Sequence, residues 1–331
     1  MKLYLFFLIF SFSWLFAQTQ TSLNIVTPQP FYGSEENSAS FVIEAKKTLI
    51  DSIEIITDTN ETIKIPIDAN RSFYCKSIKL HVGENRVKVV GYKNAVAVKE
   101  EARELYLTSK VDKEHRYLPK EYVKGYFHND ENEKLCVQCH DMSVNEVKGE
   151  AFVDVKKSNC YECHKNINTK KHAHAPSVNW LCTTCHNGEV GALNKADSAK
   201  TKYSVPDPIG DVCFSCHKKH KEEWGKNRFN HEPAESGRCN KCHNSHSEDN
   251  EMYLRKSSWD LCTTCHKDKI EGAHVVKTFG RAAHPTHGVK DPSRMPKELS
   301  CISCHSPHAS NTSSLLHSQS VMGICSRCHK K

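Results

Sequence analysis

The chain has 331 residues, with 46 Lys or Arg against 39 Asp or Glu and a formal net charge of +7. This length predicts about two domains. Beyond the N-terminus no stretch is apolar enough to cross a bilayer, which excludes a protein with several membrane spans. The chain has 17 cysteines, and all but Cys75 lie at or after residue 136. A cysteine-poor front therefore precedes a cysteine-dense back.

Residues 1–17 are predicted to be a signal peptide. Lys2 gives a positive start, residues 3–16 are almost wholly apolar, and Ala17 is a small residue suited to cleavage. The apolar stretch is too short for a membrane span. We therefore expect an exported protein, placed in the periplasm or at the cell surface of a bacterium. An uncleaved N-terminal anchor is the alternative.

Residues 18–108 are predicted to form an immunoglobulin-like β-sandwich. Stretches such as SASFVIEAKK and ETIKIPID are short and rich in β-branched residues, and turn signals such as DTN and GEN separate them. Regular short strands with turn residues between them are typical of a sandwich. Cys75, within one strand, is expected to be a small buried apolar residue. A charged linker is predicted at residues 109–127.

Residues 128–331 contain too little aliphatic material for a core of that size, and such a segment is ordinarily disordered. The segment instead carries the motif C-x-x-C-H eight times, where roughly 0.05 matches are expected by chance from average composition. C-x-x-C-H is the attachment site of c-type haem. Zinc ribbons and disulfide frameworks also use C-x-x-C pairs, but they need no histidine after the second cysteine. We therefore predict an octahaem cytochrome c domain with short helices and little regular secondary structure.

In this interpretation the motif cysteines form thioether bonds to the porphyrin and each motif histidine is one axial ligand of iron. The sixteen cysteines are Cys136, Cys139, Cys160, Cys163, Cys182, Cys185, Cys213, Cys216, Cys239, Cys242, Cys262, Cys265, Cys301, Cys304, Cys325 and Cys328. The eight motif histidines are His140, His164, His186, His217, His243, His266, His305 and His329.

The second axial ligands are sought among the histidines outside the motifs. Four of these stand eight residues before a motif cysteine, and three follow a motif as C-H-x-x-H. The eighth is chosen as His284 over His274 and His287. The predicted distal set is His128, His174, His220, His231, His246, His284, His308 and His317. We expect His308 to serve a neighbouring haem, because it lies too close to His305 to share its iron. Two histidines per iron give six-coordinate haems of low potential, since methionine ligation raises the potential.

Two stretches near the C-terminus repeat one another. CNKCHNSHSEDNEMYLRKSSWDLCTTCH and CISCHSPHASNTSSLLHSQSVMGICSRCH align nearly end to end, with Leu254 and Leu316 at equivalent positions. Over residues 128–331 the sequence resembles the doubled C-x-x-C-H family of multihaem c-type cytochromes. This resemblance implies an electron-carrying chain of bis-histidine haems and no particular substrate. The first two motifs depart from the pattern, because they lack the C-H-x-x-H element.

The expected function is electron transfer between redox protein partners, such as a membrane-bound quinol oxidase or an outer-membrane conduit, with the β domain as a docking module. The chain is not expected to be an enzyme. The main alternative is a multihaem reductase for nitrite, hydroxylamine or tetrathionate, which would need one iron with an open sixth position. A homo-oligomer or extracellular filament is a third interpretation. Each oxidised haem would bring two negative propionates and a core of about +1, so eight haems would add about −8 net and the basic balance does not indicate nucleic-acid binding.

Overall fold

The computed structural model describes residues 22–195, 200–271, 274–275 and 283–329. The predicted signal peptide at residues 1–17 lies outside the described residues. In the part that the structure describes, no helix has the length and apolarity needed to cross a membrane.

The front of the chain is a β domain, as predicted. Its strands alternate between buried and half-buried residues, most clearly in β1 and β4, which is the pattern of strands with one face on a core. The strands are β1 Leu23–Thr27, β2 Tyr32–Ser34, β3 Ser38–Ala45, β4 Ser52–Thr57, β5 Thr62–Pro66, β6 Phe73–Lys79, β7 Gly83–Lys93 and β8 Val96–Leu107. The prediction of an N-terminal β-sandwich is confirmed.

The described residues group into two compact units. The first comprises residues 22–28, 41–76 and 86–103, and the second comprises the remainder. In the first unit β1 pairs antiparallel with β3, and β4 pairs antiparallel with both β5 and β7. Leu23, Phe41 and Ile53 are fully buried there. A Cβ at Gly91 of β7 would lie 3.4 Å from the Leu23 side chain of β1, so the two sheets meet closely at this glycine.

In the second unit the predicted linker contains an ordered strand. Strand β9, Val123–Lys124, pairs in parallel with β2. The Gly125 N–H donates to the Gly33 carbonyl at 2.8 Å. A Cβ at Gly125 would lie 1.7 Å from the Tyr32 ring, which explains the glycine at this close approach. The domain boundary at residue 108 stays a prediction.

The back of the chain has short helices and little regular structure, as predicted. The α-helices are α1 Asp130–Cys136, α2 Tyr161–His164, α3 Ala175–Val178, α4 Gly210–Cys216, α5 Lys218–Gly225, α6 Glu232–Glu235, α7 Ser258–Cys265, α8 Cys301–Cys304 and α9 Val321–Cys325. Single 3₁₀ turns occupy Val155–Lys157, Cys182–Thr184, Cys239–Lys241, Glu251–Tyr253 and Lys267–Lys269. Two-residue strands complete it: β10 His172–Ala173, β11 Phe229–Asn230, β12 Ser247–Glu248 and β13 Ala309–Ser310.

This region contains very few buried apolar side chains. Among the described residues from 128 onward, they are Trp180, Ile209, Leu299 and Ala309. A region of this length ordinarily buries far more apolar surface to offset the entropy of ordering its chain. The polypeptide by itself therefore lacks a core sufficient for its size.

The expectation of a buried Cys75 is wrong. Cys75 is exposed, whereas Tyr74 beside it in β6 is buried. Because successive side chains of a strand point to opposite faces, burial of Tyr74 turns Cys75 to the surface.

Replacement of Phe41 tests the core of the β domain. Phe41→Ala is expected to cost about 3 to 5 kcal/mol of the free energy of unfolding, because it leaves a cavity in a fully buried position. Hydrogen exchange of the β-strand peptides, followed by mass spectrometry, measures this loss. The control is Val98→Ala, since Val98 is 46% exposed on β8. Equal exchange in the two variants would contradict the assigned core.

Candidate functional site

All eight C-x-x-C-H motifs are folded into the same short turn. In each, the motif histidine N–H donates to the carbonyl of the first cysteine at 2.8–3.0 Å. This is the i to i−4 bond of a helical turn, and side chains at i, i+3 and i+4 lie on one face of such a turn. The two thiols and the imidazole of each motif therefore project from one side of the chain.

Local caps fix several of these turns. The Ser257 hydroxyl accepts from the Asp260 N–H at the start of α7, and the Ser320 hydroxyl accepts from the Gly323 N–H at the start of α9. Ser300 and Ser303 form a reciprocal capping box at α8. Serine at these positions satisfies N–H groups that a helix start leaves without partners.

Seven motif histidines face an imidazole from outside the motifs, within the described residues. The ring centroids are 5.9–6.3 Å apart, and the ring planes lie within 30° of parallel in all pairs except the last, at 76°. The pairs are His164 with His128, His217 with His174, His186 with His246, His266 with His231, His243 with His308, His305 with His274 and His329 with His284.

This separation fits one iron between two imidazoles. Two metal–nitrogen bonds of about 2.0 Å, with about 1.1 Å from each nitrogen to its ring centre, place the centroids about 6 Å apart. Direct ring stacking is closer, as for Trp259 and His287, whose centroids are 3.8 Å apart. In the described part of the chain no group of three or more His, Cys, Asp or Glu side chains is placed to hold a metal ion.

Hydrogen bonds at Nδ1 orient several of the paired imidazoles. When Nδ1 carries the proton and donates it to an oxygen, Nε2 keeps its lone pair for a metal. The acceptors are backbone carbonyl oxygens. The donor and acceptor pairs are His186 and Tyr203 (3.0 Å), His243 and Met252 (2.7 Å), His305 and Ser314 (2.7 Å), His231 and Pro307 (3.0 Å), and His284 and Pro285 (2.8 Å). These rings are therefore set up to ligate through Nε2.

Burial keeps several distal imidazoles neutral. It lowers the pKa of His174, His231 and His246, and it lowers the pKa of His308 to about 4. A neutral imidazole is the form that binds a metal. His308 also stacks on the Trp224 indole, with ring centroids 4.1 Å apart. Nothing in the motif spacing identifies this tryptophan.

Short strands join the distal histidines to one another. The His174 N–H donates to the His246 carbonyl at 2.9 Å, next to the pairing of β10 with β12. The His231 N–H likewise donates to the His308 carbonyl at 2.8 Å, next to the pairing of β11 with β13. A histidine eight residues before one motif is therefore bonded to the histidine of a later C-H-x-x-H.

The repeat of the two C-terminal stretches also appears in the structure. Leu254 forms a single β-bridge with His243, and Leu316 forms the equivalent bridge with His305. Two residues before each leucine, a backbone carbonyl oxygen lies 2.7 Å from Nδ1 of the motif histidine. It is that of Met252 for His243 and that of Ser314 for His305. The leucines that align in sequence thus have the same structural position.

Effects of one thiol on the pKa of another place the motifs in order. The first cysteines of neighbouring motifs shift each other's pKa in three pairs: Cys160 with Cys182, Cys213 with Cys239 and Cys262 with Cys301. The second cysteines interact electrostatically in three others: Cys185 with Cys216, Cys242 with Cys265 and Cys304 with Cys328. Motifs two to eight therefore follow one another in space as in the sequence, through first and second cysteines alternately.

Two predicted distal histidines have other neighbours as well. The His220 ring, in α5, lies 5.9 Å from that of its own motif's His217 and 5.6 Å from Trp224, so His217 has two imidazoles at a similar separation, His174 and His220. The Nε2 of His317 is 3.1 Å from the Ile302 carbonyl oxygen. His274, which the spacing passed over, is the histidine opposite His305. It has neither of the two regular spacings, so sequence reasoning had no signal for it.

The described residues place no second imidazole opposite the His140 ring. Of the other spare histidines, His115 is hydrogen-bonded to the Tyr106 hydroxyl at 2.7 Å, and His287 is stacked on Trp259. The assignment of the eighth distal ligand stays a prediction.

Comparison with known proteins identifies the class. Residues 231–271 and 295–331 match the family model described as the doubled CXXCH motif. Over 219 residues, 64% of this chain, the sequence is 26% identical to the Multiheme cytochrome MtrA of Shewanella baltica (strain OS185). The chain is a multihaem c-type cytochrome. Its cofactor is covalently bound haem c.

The cytochrome spans only part of this relative, since the matched region is 56% of the relative's length. Among solved structures, the fibronectin(III)-like modules of CbhA from Clostridium thermocellum align with 26% of the cytochrome and 94% of their own chain, at 15% identity and a TM-score of 0.21.

Removal of one attachment site should remove one haem. The double substitution of Cys301→Ala with Cys304→Ala is expected to lower the haem-to-polypeptide ratio by one, because both thioether bonds of that motif are lost. Pyridine haemochrome absorbance and intact mass measure the ratio. Cys75→Ala is the matched control, and we expect it to leave haem content unchanged. Full haem content in the double variant would contradict the attachment role.

Proposed function

We propose that the cytochrome carries eight haems and relays electrons between redox proteins outside the cytoplasm. The observation that carries this proposal is the set of seven imidazole pairs, each separated by the span of a bis-histidine iron. When bound, each haem supplies a site that takes up and gives back one electron. The polypeptide anchors, orients and orders these sites.

The motif cysteines have the anchoring role, and the motif histidines are the proximal ligands. The seven imidazoles facing them are the distal ligands: His128, His174, His231, His246, His274, His284 and His308. The described residues place no distal imidazole for the remaining iron, at His140, since His220 lies beside His217 and His317 beside Ile302. Two imidazoles at each of seven irons favour electron transfer there, because a reductase needs a position that a substrate can occupy.

The order of the motifs supports a linear relay. The thiols of neighbouring motifs from the second to the eighth shift each other's pKa, so each bound haem in this line would have a neighbour in the next motif. The first and last motifs would be the ends of this line. Val137 in the first motif is 57% exposed, and Met322 beside the last is 66% exposed. These ends would meet the redox partners, for which a quinol oxidase or an outer-membrane conduit is the expected type.

Lysines are placed to neutralise haem propionates. An open cavity of about 570 Å³ flanks the sixth motif at Thr263 and Thr264. Lys113, Lys256 and Lys267 line it. Asp112 and Asp260 line it as well, so three ammonium groups against two carboxylates leave a small positive excess beside the attachment turn.

Electron paramagnetic resonance of the oxidised protein, with haem content measured beside it, tests the relay. We expect eight haems per chain, with the seven at paired imidazoles low-spin. A stoichiometric high-spin signal that shifts on addition of nitrite or hydroxylamine would overturn the relay and indicate a reductase. Fewer than eight haems would contradict the assigned count.

Two single substitutions test the distal histidine on which structure and sequence spacing disagree. The structure places His274 opposite a motif histidine, whereas the spacing of eight residues before a motif selects His317. His274→Ala is expected to convert one haem from low-spin to high-spin, because His305 loses the imidazole opposite it. His317→Ala is expected to leave the seven paired haems low-spin. Low-temperature spectra of the two oxidised variants provide the measurement. A high-spin haem in His317→Ala, with none in His274→Ala, would favour the spacing over the geometry.

A further inference from the structure

His128 has a different Nδ1 partner from the other oriented histidines. Its Nδ1 lies 3.1 Å from a carboxylate oxygen of Glu133, whereas the others donate to backbone carbonyls. Glu133 is only 6% exposed, so this carboxylate is largely withdrawn from water. A hydrogen bond to a buried carboxylate is stronger than one to a neutral carbonyl.

The start of α1 positions this carboxylate. Asn129 caps the helix by accepting from the Asn132 N–H at 2.8 Å, and the Glu133 N–H donates to the Asn129 carbonyl at 3.0 Å. One helical turn therefore separates Glu133 from the residue that follows His128, and its side chain returns to the imidazole. The arrangement is encoded within six consecutive residues.

Lys202 completes the cluster. Its ammonium donates to the second oxygen of Glu133 and to Asp130 at 2.8 Å, and its backbone N–H donates to the His128 carbonyl at 2.9 Å. This pairing lowers the pKa of Asp130 and raises the pKa of Lys202. Both oxygens of Glu133 face donors, so it is an acceptor-only carboxylate. Two carboxylates against one ammonium leave a net negative charge.

Aromatic rings close the other sides of His128. Tyr203 meets it edge to face at 5.0 Å and Phe127 at 5.3 Å between ring centroids. The His164 ring lies opposite at 6.0 Å. Apolar walls reduce the screening of the negative charge by water.

We propose that Glu133 is a positioning residue that makes the haem held by Cys160 and Cys163 more reducing than it would be with a neutral acceptor at His128. A carboxylate that accepts from a metal-bound imidazole raises the basicity of that ligand, and second-shell hydrogen bonding is one of the means by which a protein sets haem potential. A nearby negative charge also favours the oxidised iron, which carries one more positive charge. This inference rests on the proposed function, in which His128 and His164 ligate one iron.

The consequence is a built-in direction for the relay. An electron at the second motif would leave most readily for a neighbouring haem of higher potential. The haem of the second motif would therefore have a lower potential than the haems of the adjoining motifs, and Glu133 would contribute to that difference in potential. This step lies near the end of the line formed by the first motif.

The test is a redox titration of the intact holoprotein, monitored by electron paramagnetic resonance, in E133Q and D130N. Glutamine keeps the acceptor oxygen and the shape but removes the charge. E133Q is expected to move the potential of one haem upward, with the seven paired haems low-spin and the others unmoved. D130N, which touches the same Lys202 but not His128, is expected to give a smaller shift. E133A provides a second variant, expected to move the same haem in the same direction.

Two results would overturn the inference. One is an unchanged potential in both E133Q and E133A with full haem content. The other is an equal shift in D130N and E133Q, which would indicate a general charge effect instead of a hydrogen bond to the ligand. If the unaltered protein shows no low-spin haem, the proposed function itself is wrong. The failure of the proposed function is therefore distinguishable from the failure of this inference.

Discussion

The proposed ligation depends on one arrangement in the described residues from 128 onward, in which two imidazoles face each other at the width of a metal ion. The paired histidines come from distant parts of the sequence: His186 pairs with His246, and His243 pairs with His308. Each pair therefore acts as a cross-link between segments that share almost no apolar core. The short helices and two-residue strands are too small to hold such a region by themselves. In the proposed function, the ligand pairs and their haems would take the place that aliphatic packing has in the β domain.

The same constraint explains why the motif turns are so uniform. Each must present two thiols and one imidazole to a flat ring, and one hydrogen bond from the histidine N–H to the first cysteine does this in every motif. The two residues between the cysteines differ among motifs of this chain, from Val137 and Gln138 to Ser326 and Arg327, while the turn is kept. Cap residues such as Ser257 and Ser320 reinforce it where the chain would otherwise leave N–H groups without acceptors.

The sequence predicted the cofactor class and the β domain well, because both depend on local patterns. Strand alternation identified the sandwich, and the motif identified the haem attachment sites. The ligand pairs were harder, because they depend on which segments meet in space. Spacing singled out His128, His174 and His231, yet each faces a later motif than the one it precedes. His274 has no regular spacing, and the exposure of Cys75 depends on the burial of its neighbour in the strand.

Some motif histidines face an imidazole from earlier in the sequence and others face one from later in it. This difference affects the order in which the pairs can form. A ribosome produces His128 before His164, so that pair is available as soon as the second partner emerges. His186 must instead await His246, and His243 must await His308. In the proposed ligation, the third and fifth motifs would be completed only by segments two motifs further on, so the order in which the pairs become possible would differ from the order of the motifs in the sequence.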